Sequence, residues 1–462
     1  MRISIHGAAE EVTGSCSEIE TNNRRFVIDC GLIQGSWRNE KRNSDPFPFE
    51  PAEIDAVILT HGHIDHSGRL PLLVKSGYKG PIYCHEANRE LLEILLIDSA
   101  YLQEKEAEWN NKKRLRKGLE EIEPLYTRQD VPSVLSQLEP IQYREMIQLD
   151  KDISFQLRNA GHILGSSHVE FTTHEQGQKK TVVFSGDIGN PGAPIQQDPD
   201  IDGQPDLVIM ESTYGNRDHT SWDSSINELR DAIKHAAEDG GNVLIPAFAV
   251  GRTQTILHYF AKYYHDWGLE KWDIFLDSPM AIRVTEAYER YAHLYKKETQ
   301  PFWSKGALKS YIPKLHFTAD TQESMALNSI KSGAIIIAGS GMMTGGRIKH
   351  HMKHNLWRSQ CDLIITGFQP EGTVGRRIID KAPFIKLWGE SVRVAASVHT
   401  IGGFSAHAGQ TELLKWYQCF SNQPPVILNH GSKSTIKEFK EYLQKHTPAD
   451  ITIASRGQSF TL

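Results

Sequence analysis

The 462-residue chain has few cysteines, no long apolar run and no excess of positive charge. Its five cysteines (Cys16, Cys30, Cys84, Cys361, Cys419) are odd in number, scattered, and never spaced C-x-x-C. That argues against a disulfide framework and a cysteine zinc site, and points to a reducing compartment. No apolar stretch approaches the ~20 residues that span a bilayer, so no membrane association is expected. The opening Met1-Arg2-Ile3-Ser4-Ile5-His6 turns polar too early for a secretory leader, and a cytoplasmic location is expected. A net charge of −6 argues against sequence-blind coating of nucleic acid, but not against a local basic groove or a site where metals neutralise phosphate. Repeats and low-complexity tracts are also missing. What remains, 39% hydrophobic and 23% charged, is a globular chain too long for one core, with two or three domains expected.

What the chain does have is a dense polar stretch, Thr60-His61-Gly62-His63-Ile64-Asp65-His66-Ser67-Gly68, straight after the apolar run Ala56-Val57-Ile58-Leu59. The run reads as a buried strand, so four metal-ligating side chains fall where a strand ends and a turn begins. Residues two apart on an extended segment share a face, so His61 and His63 can reach one ion. Asp65 and His66 face elsewhere, which suits a second. Imidazole plus carboxylate is a set for zinc and its first-row neighbours. The alternative, a polar turn capping a helix, needs no such density of His and Asp.

Short strands are expected at Arg2 to Ile5, Cys16 to Glu20, Arg25 to Asp29 and Ala56 to Thr60, with glycine-bearing turns between. Leu70 to Lys75 reads as a short helix, and Glu86 to about Leu119 as a long one whose second half is basic. Strands return at Ile153 to Leu157, His168 to Thr173, Thr181 to Ser185 and Leu207 to Glu211. From roughly 220 to 385 helices alternate with continuous apolar strands such as Val243-Leu244-Ile245-Pro246 and Ala334-Ile335-Ile336-Ile337, which implies a parallel sheet. Val392 to Ser397, Val426 to Leu428 and Ile451 to Ala454 complete the strands.

Two later segments repeat the strand-then-ligand pattern: Asn159-Ala160-Gly161-His162-Ile163-Leu164-Gly165 and Val183-Phe184-Ser185-Gly186-Asp187-Ile188-Gly189. Each alone is ordinary loop chemistry; their order and company carry the weight. Taken together, His61-x-His63-x-Asp65-His66, Gly161-His162 and Ser185-Gly186-Asp187 resemble the metallo-β-lactamase fold. Asp29, ending Phe26-Val27-Ile28-Asp29, matches that family's first motif, in which the carboxylate supports the metal turn. Met210-Glu211-Ser212-Thr213-Tyr214-Gly215, Gly403-Phe404-Ser405-Ala406-His407-Ala408-Gly409 and Leu428-Asn429-His430-Gly431 resemble motifs A, B and C of its β-CASP branch, the nucleic-acid-cutting members.

The resemblance implies an αββα sandwich with an inserted, doubly wound α/β domain. The expected divisions are 1–208 and 399–462 for the metallo-β-lactamase domain and 209–398 for the β-CASP domain. It implies two Zn2+ per chain, one held by His61, His63 and His162, the other by Asp65, His66 and His430, with Asp187 bridging. It casts His407 as the acid that protonates the departing 3′ oxygen and Glu211 as its partner, and counts Asp187 and Asp65 among the catalytic groups. The implied activity is hydrolysis of single-stranded RNA, endonucleolytic, leaving 3′-OH and 5′-phosphate ends. Histidine at position 430 tilts the substrate to RNA, because DNA-repair relatives carry valine there. The turn Ser340-Gly341-Met342-Met343-Thr344-Gly345-Gly346-Arg347 and the helix-opening Arg252 are candidate phosphate contacts; a tight strand–helix turn and a surface arginine are the bland readings. A DNA nuclease, a small-ester hydrolase and a catalytically silent scaffold remain alternatives. Accompanying 5′ exonuclease activity and homo-oligomerisation are left open.

Overall fold

The computed structural model describes residues 1–462. The chain divides into two compact units: residues 1–191, 198–218 and 407–462 form the first, and residues 192–197 and 219–406 the second. The bounds that the resemblance implies, 208/209 and 398/399, follow motif order, whereas these divisions follow packing. The segment through 218 stays with the first unit, where the strand Leu207–Met210 is hydrogen-bonded inside a sheet.

The first sheet begins with β1 (Arg2–Ile5), β2 (Ser17–Thr21), β3 (Arg24–Ile28), β4 (Ala56–Ile58), β5 (Ile82–His85) and β6 (Leu138–Ile141), paired in that order. The second begins with the meander β7 (Ile147–Asp150), β8 (Ile153–Asn159), β9 (Ser167–Glu175) and β10 (Gln178–Phe184), followed by β11 (Leu207–Met210) parallel to β10. In the second unit come β12 (Val243–Pro246), β13 (Asp273–Leu276), β14 (Leu315–Phe317), β15 (Ala334–Ala338), β16 (Asp362–Ile365), the hairpin β17 (Phe384–Leu387) and β18 (Glu390–Arg393), and β19 (Ser397–Thr400). Back in the first unit, β20 (Val426–Leu428) and β21 (Ile451–Ile453) extend the second sheet beside β11. Then β22 (Gln458–Thr461) returns to pair with β1 in the first sheet.

Side-chain alternation makes the first unit four layers deep. Phe26, Ile28 and Ile58 of one sheet meet Phe155, Phe171 and Phe184 of the other, with Phe26 and Phe171 ring centroids 5.3 Å apart. The opposite face of β4 and the residue after it give Val57 and Leu59 to Leu92, Leu96 and Ala100 of the helix Asn88–Leu115. Burial on both faces is why Ala56 to Leu59 reads as an unbroken apolar run. Behind the second sheet, Leu413 and Tyr417 of the helix Gln410–Tyr417 and Phe439 of the helix Lys433–His446 cover Val208, Met210 and Leu428.

The second unit is built on a six-stranded, all-parallel sheet in the order β14-β13-β15-β12-β16-β19. Its inner strands β12, β15 and β16 are buried throughout, as their apolar continuity predicts, while the edge strands β14 and β19 are partly exposed. The run expected as one strand, Val392 to Ser397, is in fact divided. Val392 belongs to the hairpin, Ala395 and Ala396 both donate to the Leu356 carbonyl, and pairing resumes at Ser397 in β19. A pattern of alternating burial cannot show that a strand changes partner midway.

Candidate metal centre

The stretch after β4 folds back because its backbone is held from two sides. Ser15 N–H donates to the Asp65 carbonyl (2.8 Å), and Cys30 N–H donates to that of His66 (2.8 Å). A Cβ on Gly31 would sit 1.6 Å from the Asp65 carbonyl oxygen, so only glycine allows this approach. Asp29, in the left-handed region at φ 61°, anchors the turn. Its carboxylate accepts from Thr60 N–H (2.8 Å), Ser15 Oγ (3.1 Å) and His66 Nδ1 (2.7 Å).

Three further segments bring their ligands to this turn. Gly189 N–H donates to the Ala160 carbonyl (2.8 Å), and a Cβ on Gly189 would lie 2.1 Å from the Gly161 carbonyl oxygen. The turns carrying His162 and Asp187 therefore pack backbone against backbone. Beside them the parallel strands β11 and β20 end together, so Asn429 N–H donates to the Met210 carbonyl (3.0 Å) and His430 faces the same space.

Two groups of donor atoms result. In one, His61 Nε2 stands 3.1 Å from His63 Nδ1 and 3.4 Å from Asp187 Oδ2; His162 Nε2 stands 3.2 Å from His63 Nδ1 and 3.5 Å from Asp187 Oδ2. In the other, His66 Nε2 is 3.0 Å from His430 Nε2 and 3.3 Å from Asp187 Oδ1, and Asp65 Oδ2 is 3.8 Å from His430 Nε2. Donors bound at about 2.0–2.2 Å around a tetrahedral ion stand roughly 3.3 Å apart. The two oxygens of Asp187 thus serve one group each.

These donors fit metal ions on their own chemistry. His66 and His61 point Nδ1 at Asp29 Oδ2 and Thr60 Oγ1, and His430 points Nδ1 at Thr213 Oγ1 (3.2 Å). Donation through Nδ1 turns Nε2 of each ring toward the centre as a lone pair. Bare nitrogens facing each other across 3 Å repel unless a cation or a proton lies between. Asp187 Oδ1, wholly buried, has no hydrogen-bond partner either. Burial, reinforced by neighbouring imidazoles, lowers His61, takes His63 down to about 3 and holds His162 well below the usual range, all in the neutral ligand form. Burial opposes charge on His66 too, but Asp187 and Asp29 outweigh it and raise that ring well above its ordinary value.

His407 completes the cluster from a bridge between its own residue and Gly189. Its Nδ1 meets Glu211 Oε1 at 3.2 Å and its Nε2 lies 3.8 Å from Asp187 Oδ2. Burial opposes its charge, but Glu211 and Asp187 prevail and raise it to about 9. A cation on Asp187 would cancel that carboxylate's share, leaving Glu211 to favour the proton. Glu211 is itself fixed by Ile188 N–H (2.6 Å) and Thr213 N–H (3.2 Å). All nine expected ligand and acid groups, with Asp29 behind them, therefore come together in the first unit. Sequence reading missed the hydroxyls of Thr60 and Thr213, since nothing marks one threonine among many as a partner to a ligand.

The chain also matches known family models in three consecutive segments. Residues 9–247, more than half of the chain, match the metallo-beta-lactamase superfamily. Residues 253–378 match the Beta-Casp domain, and residues 391–454 the Zn-dependent metallo-hydrolase RNA specificity domain. The chain belongs to the metallo-β-lactamase superfamily. Within it, the inserted Beta-Casp domain places the chain in the β-CASP branch.

Among similar β-CASP relatives is Ribonuclease TTHA0252 of Thermus thermophilus, 40% identical over 462 residues, all of this chain and 98% of that one. Transcription termination factor FttA of Methanocaldococcus jannaschii is 29% identical over 457 residues, covering 96% of this chain and 69% of FttA. An RNase J-like protein from the same organism is 28% identical over 461 residues, 98% of each chain. A crystal structure of a protein of unknown function from Enterococcus faecalis V583 shares the fold, with TM-score 0.56 at 14% identity over 100% of this chain and 99% of that one.

The expected phosphate contacts all lie in the second unit of this β-CASP chain. Arg347 is engaged internally: Nη1 donates to Asp277 Oδ1 (2.7 Å) and the Thr318 carbonyl (2.8 Å), and Nη2 to the Ala319 carbonyl (2.8 Å). Ser340 Oγ accepts from Gly345 N–H (3.2 Å), and Gly341 abuts Phe248, whose carbonyl accepts from Thr253 beside Arg252. Ser340, Gly341 and Arg252 are thus neighbours through Phe248, while Arg347 braces the turn from behind.

Proposed function

We infer that the protein is a metal-dependent ribonuclease that hydrolyses phosphodiester bonds of single-stranded RNA, cutting within the chain and leaving 3′-OH and 5′-phosphate ends. The observation that carries this is the joining of two donor groups through Asp187 beside a carboxylate-backed histidine, in a chain with a Zn-dependent metallo-hydrolase RNA specificity domain. His61, His63 and His162 would hold one zinc and Asp65, His66 and His430 the other, with Asp187 shared. Two such ions would neutralise the scissile phosphate, supply a nucleophile at neutral pH and stabilise both the entering and leaving oxygens.

The remaining work belongs to the chain's own groups. Glu211 accepts from His407 Nδ1 and so keeps the Nε2 proton directed toward the site. His407 gives that proton to the departing 3′ oxygen, which would otherwise leave as a strongly basic alkoxide. Asp29 and Thr60 fix the tautomers of His66 and His61, and Thr213 does the same for His430. The names of the similar ribonuclease and transcription termination factor support RNA as the substrate. No helix is long and apolar enough to cross a membrane.

End-labelled single-stranded RNA and DNA of matched sequence, each with and without chelator, test the reading. RNA cleavage that chelator abolishes and zinc restores is expected. Cleavage of DNA but not RNA would remove the substrate assignment, and chelator-resistant cleavage would remove the metal.

A further inference from the structure

A second His/Asp cluster lies wholly within the inserted unit, and none of its members takes part in the chemistry above. His235 and Asp239 are four residues apart on the helix Trp222–Asp239, on one face, with Nδ1 and Oδ2 3.5 Å apart. Asp362 opens β16 and His399 sits on β19. The register pairs Asp362 with Ser397 and Ile364 with His399, so the two side chains emerge on one face of adjacent strands. His399 Nε2 lies 2.8 Å and His235 Nδ1 3.3 Å from Asp362 Oδ1, with the two rings 5.2 Å apart and edge-on.

A plain hydrogen-bond network accounts poorly for this arrangement. Asp239 and Asp362 converge on the same His235 Nδ1, which carries at most one proton. Asp362 is 1% exposed, and its Oδ2 is buried with no hydrogen-bond partner. Hydrogen bonding thus leaves a deeply buried carboxylate half satisfied. A cation would be shared by the Asp362 carboxylate and both imidazoles, whose ligand atoms lie within 4.8 Å of one another, with Asp239 beside it.

We propose that His235, Asp239, Asp362 and His399 form a separate structural zinc site that clips the helix Trp222–Asp239 to the edge of the parallel sheet. His235 Nδ1, His399 Nε2 and an Asp362 oxygen lie within 4.8 Å of one another, and Asp239, 3.5 Å from His235 Nδ1, supplies the fourth ligand by a turn of its side chain, giving a two-nitrogen, two-oxygen set suited to zinc. The site is open on the helix side, where the His235 side chain is 49% exposed, and closed at Asp362, so an ion has a path in and a buried anchor. The clip falls where the sheet most needs one: β19 is its last strand and is hydrogen-bonded on one side only.

The test strips the full-length protein with chelator, reloads it with excess zinc, removes unbound ion by gel filtration and measures zinc per chain. In His235→Ala/Asp239→Ala both replacements favour helix and both sites are solvent-accessible, so the fold is retained, as circular dichroism would verify. That variant should hold one zinc fewer than wild type, and His399→Gln should show the same deficit. Both counts are differences from wild type, so they stand whether or not the chain cuts RNA and however many ions the first cluster holds. Equal zinc in wild type and the double variant overturns the site, whatever His399→Gln retains.

Discussion

His407 and Asp187 of the first cluster differ in what their loss should do. His407 touches no proposed metal through its Nδ1, which faces Glu211. His407→Ala should keep the wild-type metal content and slow RNA cleavage by about 10²–10⁴-fold, the range for a lost general acid. Metal analysis beside single-turnover kinetics checks both halves, and a wild-type rate would remove the proton-donor role. Asp187 offers one oxygen to each donor group. Asp187→Asn should therefore deplete both pockets together, measured as zinc per chain, where loss of a single ligand such as His63 should weaken one. The residue types at both positions were legible because His and Asp at strand ends are scarce and ordered. Thr60 and Thr213 were not legible, since a hydroxyl acquires its role only when folding brings a ring nitrogen to it.

Elements explain why so few residues can move. The turns bearing His162 and Asp187 touch through backbone, and Gly189 has no room for a methyl group. Gly189→Ala should push those turns apart, with the Tm falling by several degrees and bound zinc decreasing, since a clash of this kind costs about 1–3 kcal/mol. Differential scanning calorimetry on the metal-loaded protein reads it. In the second unit, buried Asp277 accepts from His351 Nε2 (2.6 Å), Arg347 (2.7 Å), Ser324 Oγ (2.7 Å) and Thr318 Oγ1 (2.8 Å). Burial alone would raise its pKa, but these bonds prevail and lower it. Its stabilisation is therefore present above the ordinary value of about 3.9 and lost as pH falls through the lowered one. Asp277→Asn should cost about 3–5 kcal/mol at pH 7, and urea melts should show the gap to wild type closing below about pH 4. Sequence showed the apolar strands here clearly, because continuous burial leaves a continuous signal. It showed Ser340 to Arg347 only as a glycine-rich turn, because Arg347 finds Asp277 across 70 residues.

At the scale of the molecule, the second unit is inserted in the chain sequence of the first, entered after residue 218 and left before residue 407 apart from the short segment 192–197. The last strands close what the first ones opened: β21 lines the outer side of β20 in one sheet, and β22 lines the outer side of β1 in the other. β2 covers one side of β1 early, but the ribosome makes β1 hundreds of residues before its second partner β22, and at about 5–20 residues per second that edge stays bare for tens of seconds. Exposed edges recruit other chains. A nascent chain that has made β20 but not yet β21 and β22 carries two such edges. Residues 451–461 thus cover both edges, and soluble recovery of the protein should track whether they have been made.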